Sequence, residues 1–159
     1  MIELSLDFRE KLNATIGGDH HSYCFQCGAC VGDCPTARYS GLFNPRLIVL
    51  RSIFGQEEEL TRKDSIIWLC TNCYNCYERC PQDVRPVEVI MALKNLATRR
   101  ANNPEKVQEL VSSINRDSRT VILTSATDRR RESLGLKPVK KEIPEDFTAL
   151  LKEIGVDDG

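Results

Sequence analysis

All eight cysteines of this chain fall in two runs of one pattern: Cys24, Cys27, Cys30 and Cys34 followed by Pro35, and Cys70, Cys73, Cys76 and Cys80 followed by Pro81. Three thiols at successive three-residue steps, then a fourth after three intervening residues and a proline, is the ligand run of a protein that holds two 4Fe-4S clusters. A compact loop can lay three closely spaced sulfurs on three irons of one cubane, but it cannot comfortably wrap around to the fourth. The last ligand must come from elsewhere. One cluster is therefore assigned to Cys24, Cys27, Cys30 and Cys80, and the other to Cys70, Cys73, Cys76 and Cys34. Pro35 and Pro81 then break the local backbone and turn the chain away just after each crossing ligand.

Zinc and disulfides are the competing readings. A structural zinc site takes four cysteines, but usually as two Cys-x-x-Cys pairs separated by a longer spacer. Three ligands in seven residues, twice, departs from that pattern. A disulfide framework belongs to small secreted chains, whereas Met1 to Leu12 mixes Glu3, Asp7, Arg9, Glu10 and Lys11 with apolar residues and lacks the basic start and apolar stretch of a secretory signal. The expected location is the cytoplasm. The longest apolar runs, near Leu47 to Leu50 and Ile66 to Leu69, fall far short of the ~20 residues that span a bilayer, so no direct membrane insertion is expected.

At 159 residues the chain is one domain, or a small domain with an appended tail. Its hydrophobic content of 41% is a little under the globular norm, so part of the fold must be organised by something besides apolar packing. Two clusters bonded to the chain would supply that. A net charge of -1 argues against nucleic acid as the main partner.

Helical signals surround both cysteine runs. Residues 4–12 read as an amphipathic helix with Leu4, Phe8 and Leu12 on one face, ended by Gly17-Gly18. His20 and His21 read as solvated loop residues. In the 35-residue insert from Pro35 to Leu69, Asn44 can cap a helix with Pro45 at its first position. Leu47, Leu50 and Phe54 keep helical spacing there, Ile48, Val49 and Ile53 widen the apolar face, and Gly55 follows as a stop. Glu57-Glu58-Glu59 reads as a solvated turn before a short helix from Lys63 to Leu69. Pro86 opens a strong helix carrying Val87, Ile90, Leu93, Leu96 and Ala97, with Arg99 and Arg100 suited to its C-terminus. Pro104 starts another, with Val107, Leu110, Val111 and Ile114 inward.

The fold class is therefore mainly α, an α-helical ferredoxin over residues 1–116 with an extended C-terminal arm over 117–159. In the arm, Thr120 to Thr124 reads as a short strand or as extended chain. Arg129-Arg130-Arg131 and Lys137 to Lys141 make it basic, with Leu134, Leu136 and Val139 as apolar anchors. It reads as an arm docking on another subunit, against the alternative of a mobile solvated tail. A short helix at 145–154, carrying Phe147, Leu150, Leu151 and Ile154, closes the chain.

Crossed ligands hold two clusters close, so electrons can enter at one and leave at the other. There is no Gly-x-Gly-x-x-Gly loop, no phosphate loop, no paired-carboxylate constellation and no spare cysteine to act as a nucleophile. No catalytic residue is assigned, and substrate chemistry is placed on another polypeptide. The chain is an electron carrier or an electron-transfer subunit, and its length beyond the clusters favours the latter. Tyr23, Phe25, Tyr74 and Tyr77 stand around the ligands as candidate shields or as ordinary packing aromatics.

The wording of three segments narrows this further: Tyr23-Cys-Phe-Gln-Cys-Gly-Ala-Cys-Val-Gly-Asp-Cys-Pro35, Trp68-Leu-Cys-Thr-Asn-Cys-Tyr-Asn-Cys-Tyr-Glu-Arg-Cys-Pro81 and Arg129-Arg-Arg-Glu-Ser-Leu-Gly-Leu-Lys-Pro138. Over most of its length the chain resembles the small iron-sulfur subunit of the heterodisulfide reductase of methanogenic archaea. That resemblance implies a protein passing electrons through two 4Fe-4S clusters from a flavin-containing subunit to a catalytic one. The catalytic subunit of that family carries Cys-Cys-Gly motifs and reduces the disulfide of coenzyme M and coenzyme B. A hydrogenase or formate dehydrogenase is the implied indirect partner. This chain has no adjacent cysteine pair. The alternatives are an iron-sulfur subunit of a succinate, glycolate, glycerol-phosphate or sulfur-oxidising system, a free ferredoxin, or, from a different class, a zinc-dependent binding module.

Overall fold

The prolines and caps that punctuate the sequence decide where its helices begin. A computed structural model describes residues 4–121, 123–139, 143 and 145–153, and among these all regular structure is helical. The chain forms two compact units, Met1–Pro104 and Glu105–Gly159. The first contains α1 (Phe8–Asn13), α2 (Ala29–Gly32), α3 (Pro35–Tyr39), α4 (Pro45–Ile53), α5 (Glu57–Thr61), α6 (Asn75–Glu78) and α7 (Pro86–Arg99), with 3₁₀ turns at His21–Tyr23 and Ile66–Leu69. The second contains α8 (Glu105–Asp117), α9 (Ser125–Ser133) and α10 (Glu145–Glu153).

The core of the first unit is the packing of α4 on α7, closed by α1 and α5. Asn44 is extended and its side-chain oxygen accepts the Leu47 N–H at 3.1 Å, while Pro45 occupies the first helical position. The cap thus satisfies one of the donors that a helix start leaves without an intrahelical partner. The stripe turned inward is Pro45, Ile48, Val49 and Ser52, whereas Leu47 and Phe54 are 36% and 58% exposed. This corrects the expected face. Both stripes of α4 are apolar, so periodicity alone could not choose; Ser52 is tolerated inside because its hydroxyl donates to the Ile48 carbonyl at 3.0 Å. Gly55 follows at φ +73°, and an added Cβ would lie 2.4 Å from the Ser5 carbonyl oxygen, so both backbone angle and space require glycine there.

On α7, Val87, Ile90, Leu93 and Ala97 are buried as their spacing predicts, joined by Val89 and Ala92. Each of the larger fully buried apolar side chains contributes roughly 1.5–3 kcal/mol relative to exposure. In α1, Phe8 and Leu12 are buried, but Leu4 lies outside the helix and is exposed. The helix expected from Lys63 is shorter: Ser65 accepts from the Ile67 N–H and opens a single 3₁₀ turn that delivers Cys70.

The acidic run is a second correction. Glu57 opens α5 and is buried, not solvated. Arg100, just past α7, bonds Glu57 Oε1 through Nη2, and Lys11 of α1 approaches Oε2 at 3.5 Å. One carboxylate therefore ties three helices together. Arg100→Met, which leaves that buried charge with only the Lys11 ammonium at 3.5 Å, should lower the unfolding free energy by about 2–3 kcal/mol. Glu57→Gln leaves no buried charge, and its partners stay hydrated, so it should cost about 1 kcal/mol. Chemical denaturation of the iron-loaded protein checks the order; equal losses would contradict it.

His21 is likewise buried rather than solvated, with Nδ1 donating to the Gly18 carbonyl at 2.7 Å. Burial lowers its pKa below 6.5, keeping the ring neutral. His20, by contrast, remains partly exposed and donates from Nδ1 to the Asp83 carbonyl at 2.9 Å.

Among the described residues of the second unit no apolar side chain is buried. Val107, Val111 and Ile114 of α8 are half-covered and Leu110 is exposed, so the expected inward face is only partly sheltered. Helix α8 belongs to this unit, which begins at Glu105. Thr120, Val121, Leu123 and Thr124 form no strand, and Ile122 lies outside the described residues. Thr124 instead caps α9, its hydroxyl accepting the Thr127 N–H at 3.3 Å, and the arginine run lies on this helix. Lys140, Lys141 and Ile154 also lie outside the described residues.

Candidate metal centre

The two cysteine runs adopt the same backbone design. Each is entered from a 3₁₀ turn, and each carries its third cysteine on a four-residue helix, Cys30 on α2 and Cys76 on α6. Before that helix two residues of each loop take positive φ: Gln26 and Gly28 in the first, Asn72 and Tyr74 in the second. Left-handed residues interleaved with right-handed ones turn backbone N–H groups into a concavity that suits an anionic group. For non-glycine residues this conformation costs roughly 1–2 kcal/mol each, so something must offset it. Gly28 is the residue type such a bend favours, whereas Tyr74 at the matching position is not.

Cys24, Cys27, Cys30 and Cys80 line one pocket. Cys34, Cys70, Cys73 and Cys76 line a second. The structure thus brings together the same two sets of four that the spacing pairs. Contacts outside the cysteines explain how each fourth thiol reaches across. The His20 bond to Asp83 draws the chain after Cys80 to the chain before Cys24. The Thr36 hydroxyl donates to the Leu69 carbonyl at 3.4 Å and draws the chain after Cys34 to the chain before Cys70. Asp33 joins the loops directly, accepting from Asn75 Nδ2 at 3.1 Å through its carbonyl and pairing with Arg79 through its carboxylate. None of these links was visible in the residue pattern.

Helix starts form the wall between the pockets. Arg46 and Pro86 face the first, and their chain neighbours Pro45 and Val87 face the second. Each pocket therefore receives the first turns of both α4 and α7, whose positive dipole ends favour an anion. Thiol acceptors are supplied with donors as well: Ala37 N–H to Cys34 at 3.4 Å, Val84 N–H to Cys80 at 3.3 Å and Gln26 Nε2 to Cys24 at 3.1 Å. Of the four aromatics beside the ligands, Phe25 lines the first pocket and Tyr74 the second, while Tyr77 packs beside Cys30 and Cys76. Tyr23 is exposed.

Cys27 and Cys73 are exposed, Cys30 and Cys76 buried, and the other four intermediate. Burial, reinforced by neighbouring thiols, pushes Cys30 up to about 11 and Cys76 up to about 12, and burial also raises Cys70. Without metal these thiols hold their protons at neutral pH, so metal binding must expel them. Four cysteine sulfurs around one pocket are the donor set that a 4Fe-4S cubane takes. Among the described residues no three His, Cys, Asp or Glu side chains converge as they would on a single metal ion. No described helix is long and apolar enough to cross a membrane.

Comparison with known proteins agrees with this chemistry. The family model described as a 4Fe-4S dicluster domain matches residues 20–84, which span both runs. The chain is 32% identical to the C subunit of the H(2):CoB-CoM heterodisulfide,ferredoxin reductase of Methanothermobacter thermautotrophicus, over 95% of this chain and 83% of that protein. It is 35% identical to the C subunit of the Ferredoxin:CoB-CoM heterodisulfide reductase of Methanosarcina mazei, over 85% and 86% respectively. A protein of Archaeoglobus profundus named as like the C subunit of heterodisulfide reductase is 30% identical over 87% of this chain and 75% of its own. With two four-cysteine pockets for its two 4Fe-4S clusters, the chain belongs to the family of heterodisulfide reductase C subunits, the iron-sulfur subunits of that oxidoreductase.

Proposed function

We propose that this chain is the non-catalytic relay of a cytoplasmic CoB-CoM heterodisulfide reductase, carrying electrons from a flavin-containing subunit to a catalytic Cys-Cys-Gly subunit. The observation that carries this reading is the pair of four-cysteine pockets divided by single-residue steps at the starts of α4 and α7. One cluster is held by Cys24, Cys27, Cys30 and Cys80, the other by Cys34, Cys70, Cys73 and Cys76. When bound, the clusters supply reversible one-electron chemistry. The chain's residues hold the clusters close, supply N–H donors to their sulfurs and leave one side of each open at Cys27 and Cys73. A path that enters at one opening and leaves at the other needs no substrate pocket on this chain.

Residues 117–159 serve as the docking arm. Support comes from Val121, Leu134, Leu136 and Leu150, which are exposed, and from the arginines of α9. Deleting 117–159 should leave about eight irons on the chain while weakening its association with partner subunits at least tenfold. Anaerobic affinity purification from the native cells tests both parts. A flavoprotein and a Cys-Cys-Gly protein should accompany the intact chain and be depleted from the truncated one. Iron-loaded chain with neither partner would overturn the relay reading, and undiminished recovery with the truncated chain would overturn the arm.

A further inference from the structure

Beside the second pocket stands a cation that the cysteine pattern does not announce. Lys94, on the third turn of α7, donates from Nζ to the Cys70 carbonyl at 3.1 Å and to Asn72 Oδ1 at 3.3 Å. It is half-buried, its ammonium lies 5.9 Å from the centre of the Trp68 ring, and among the described residues no carboxylate pairs with it. Asn72 is one of the left-handed residues that shape the loop. The lysine therefore clamps the turn between the first two cysteines of that run and brings an uncompensated positive charge against it. At the corresponding turn of the first run the donor is the neutral Gln26 amide, with Arg46 also in that pocket's wall.

We propose that Lys94 is a positioning residue that raises the reduction potential of the cluster held by Cys34, Cys70, Cys73 and Cys76, by fixing its positive charge against the Cys70 to Asn72 turn. Reduction adds one electron to the cluster and so one negative charge. A fixed cation nearby stabilises the reduced state more than the oxidised one, and a partly buried site screens it less than water does. Charge near the sulfurs and hydrogen bonding around them are the levers by which a protein sets cluster potential. The inference rests on the ligand sets proposed above.

The test is an anaerobic redox titration of the full-length iron-loaded chain with dithionite as reductant, followed by electron paramagnetic resonance. Wild type, Lys94→Gln and Lys94→Arg are compared, with Cys73→Ser identifying the second cluster's signal. Lys94→Gln should lower that cluster's reduced-to-oxidised ratio about tenfold at fixed potential, a downward shift of about 59 mV for one electron, and leave the first cluster unmoved. Lys94→Arg should restore most of the shift. An unmoved potential in Lys94→Gln, or equal shifts in both variants, with about eight irons retained, would overturn the role of the charge. Failure of the ligand assignment appears separately, as a low iron count in the wild type or loss of both signals in Cys73→Ser.

Discussion

Changing Cys80 to alanine should remove the cluster held by the first cysteine run and spare the one held by its own. Cys80 is the last cysteine of the second run in sequence, yet it lines the pocket of Cys24, Cys27 and Cys30. Three thiolates hold a cubane poorly, so iron should fall from about eight to about four per chain, with the remaining signal that of the second cluster. Cys34→Ala should give the reciprocal result, since Cys34 lines the other pocket. The comparison of the two is the informative step, because a general folding defect would strip both clusters from both variants. Iron loss that follows each cysteine's own run would show that the ligands do not cross.

Removal of the iron should unfold the cysteine loops while sparing part of the α4–α7 core. The loops spend backbone energy at Gln26, Asn72, Tyr74, Asp83 and Arg85, all at positive φ, and although Cys24, Cys34, Cys70, Cys80 and Val84 reach the main core, Cys30 and Cys76 rest on a small separate group with Val87. At roughly 1–2 kcal/mol per residue that strain reaches several kcal/mol, which metal-thiolate bonds offset in the loaded protein. Phe8, Leu12, Ile48, Val49, Ile90 and Leu93 retain each other without metal. Chelation under reducing conditions should therefore expose the segments around 24–34 and 70–85 to protease within the time that 45–53 and 86–99 stay protected. Amide hydrogen exchange reads this directly. Protection unchanged in the loops would mean that they are preorganised and that the clusters contribute little to folding.

How much of this was legible in the residues follows from which interactions are local. The cysteine spacing is a local property, so the two 4Fe-4S clusters could be read directly, and each set of four cysteines that the spacing groups together lines one pocket. Asn44-Pro45 and Pro86 marked helix starts for the same reason, because caps and proline act on their own backbone. What escaped were choices made by distant partners. Glu57 looked like part of a solvated run because nothing near it in sequence shows Arg100 arriving from the end of α7. His21 looked exposed because its cover is tertiary. On α4 two apolar stripes competed, and only the position of α7 selected Ile48 and Val49 over Leu47 and Phe54. In the second unit, α9 is carried by a threonine cap and by arginines with no apolar face, which gives helical periodicity nothing to detect.

Electrons should pass through this chain between two other proteins of the complex, and rapid freeze-quench electron paramagnetic resonance of the whole assembly tests this most directly. On adding reductant to the flavoprotein, both cluster signals should appear before any thiol product, and on adding the heterodisulfide both should decay at the rate of turnover. Clusters that stay oxidised while thiol accumulates at the full rate would place the electron path elsewhere.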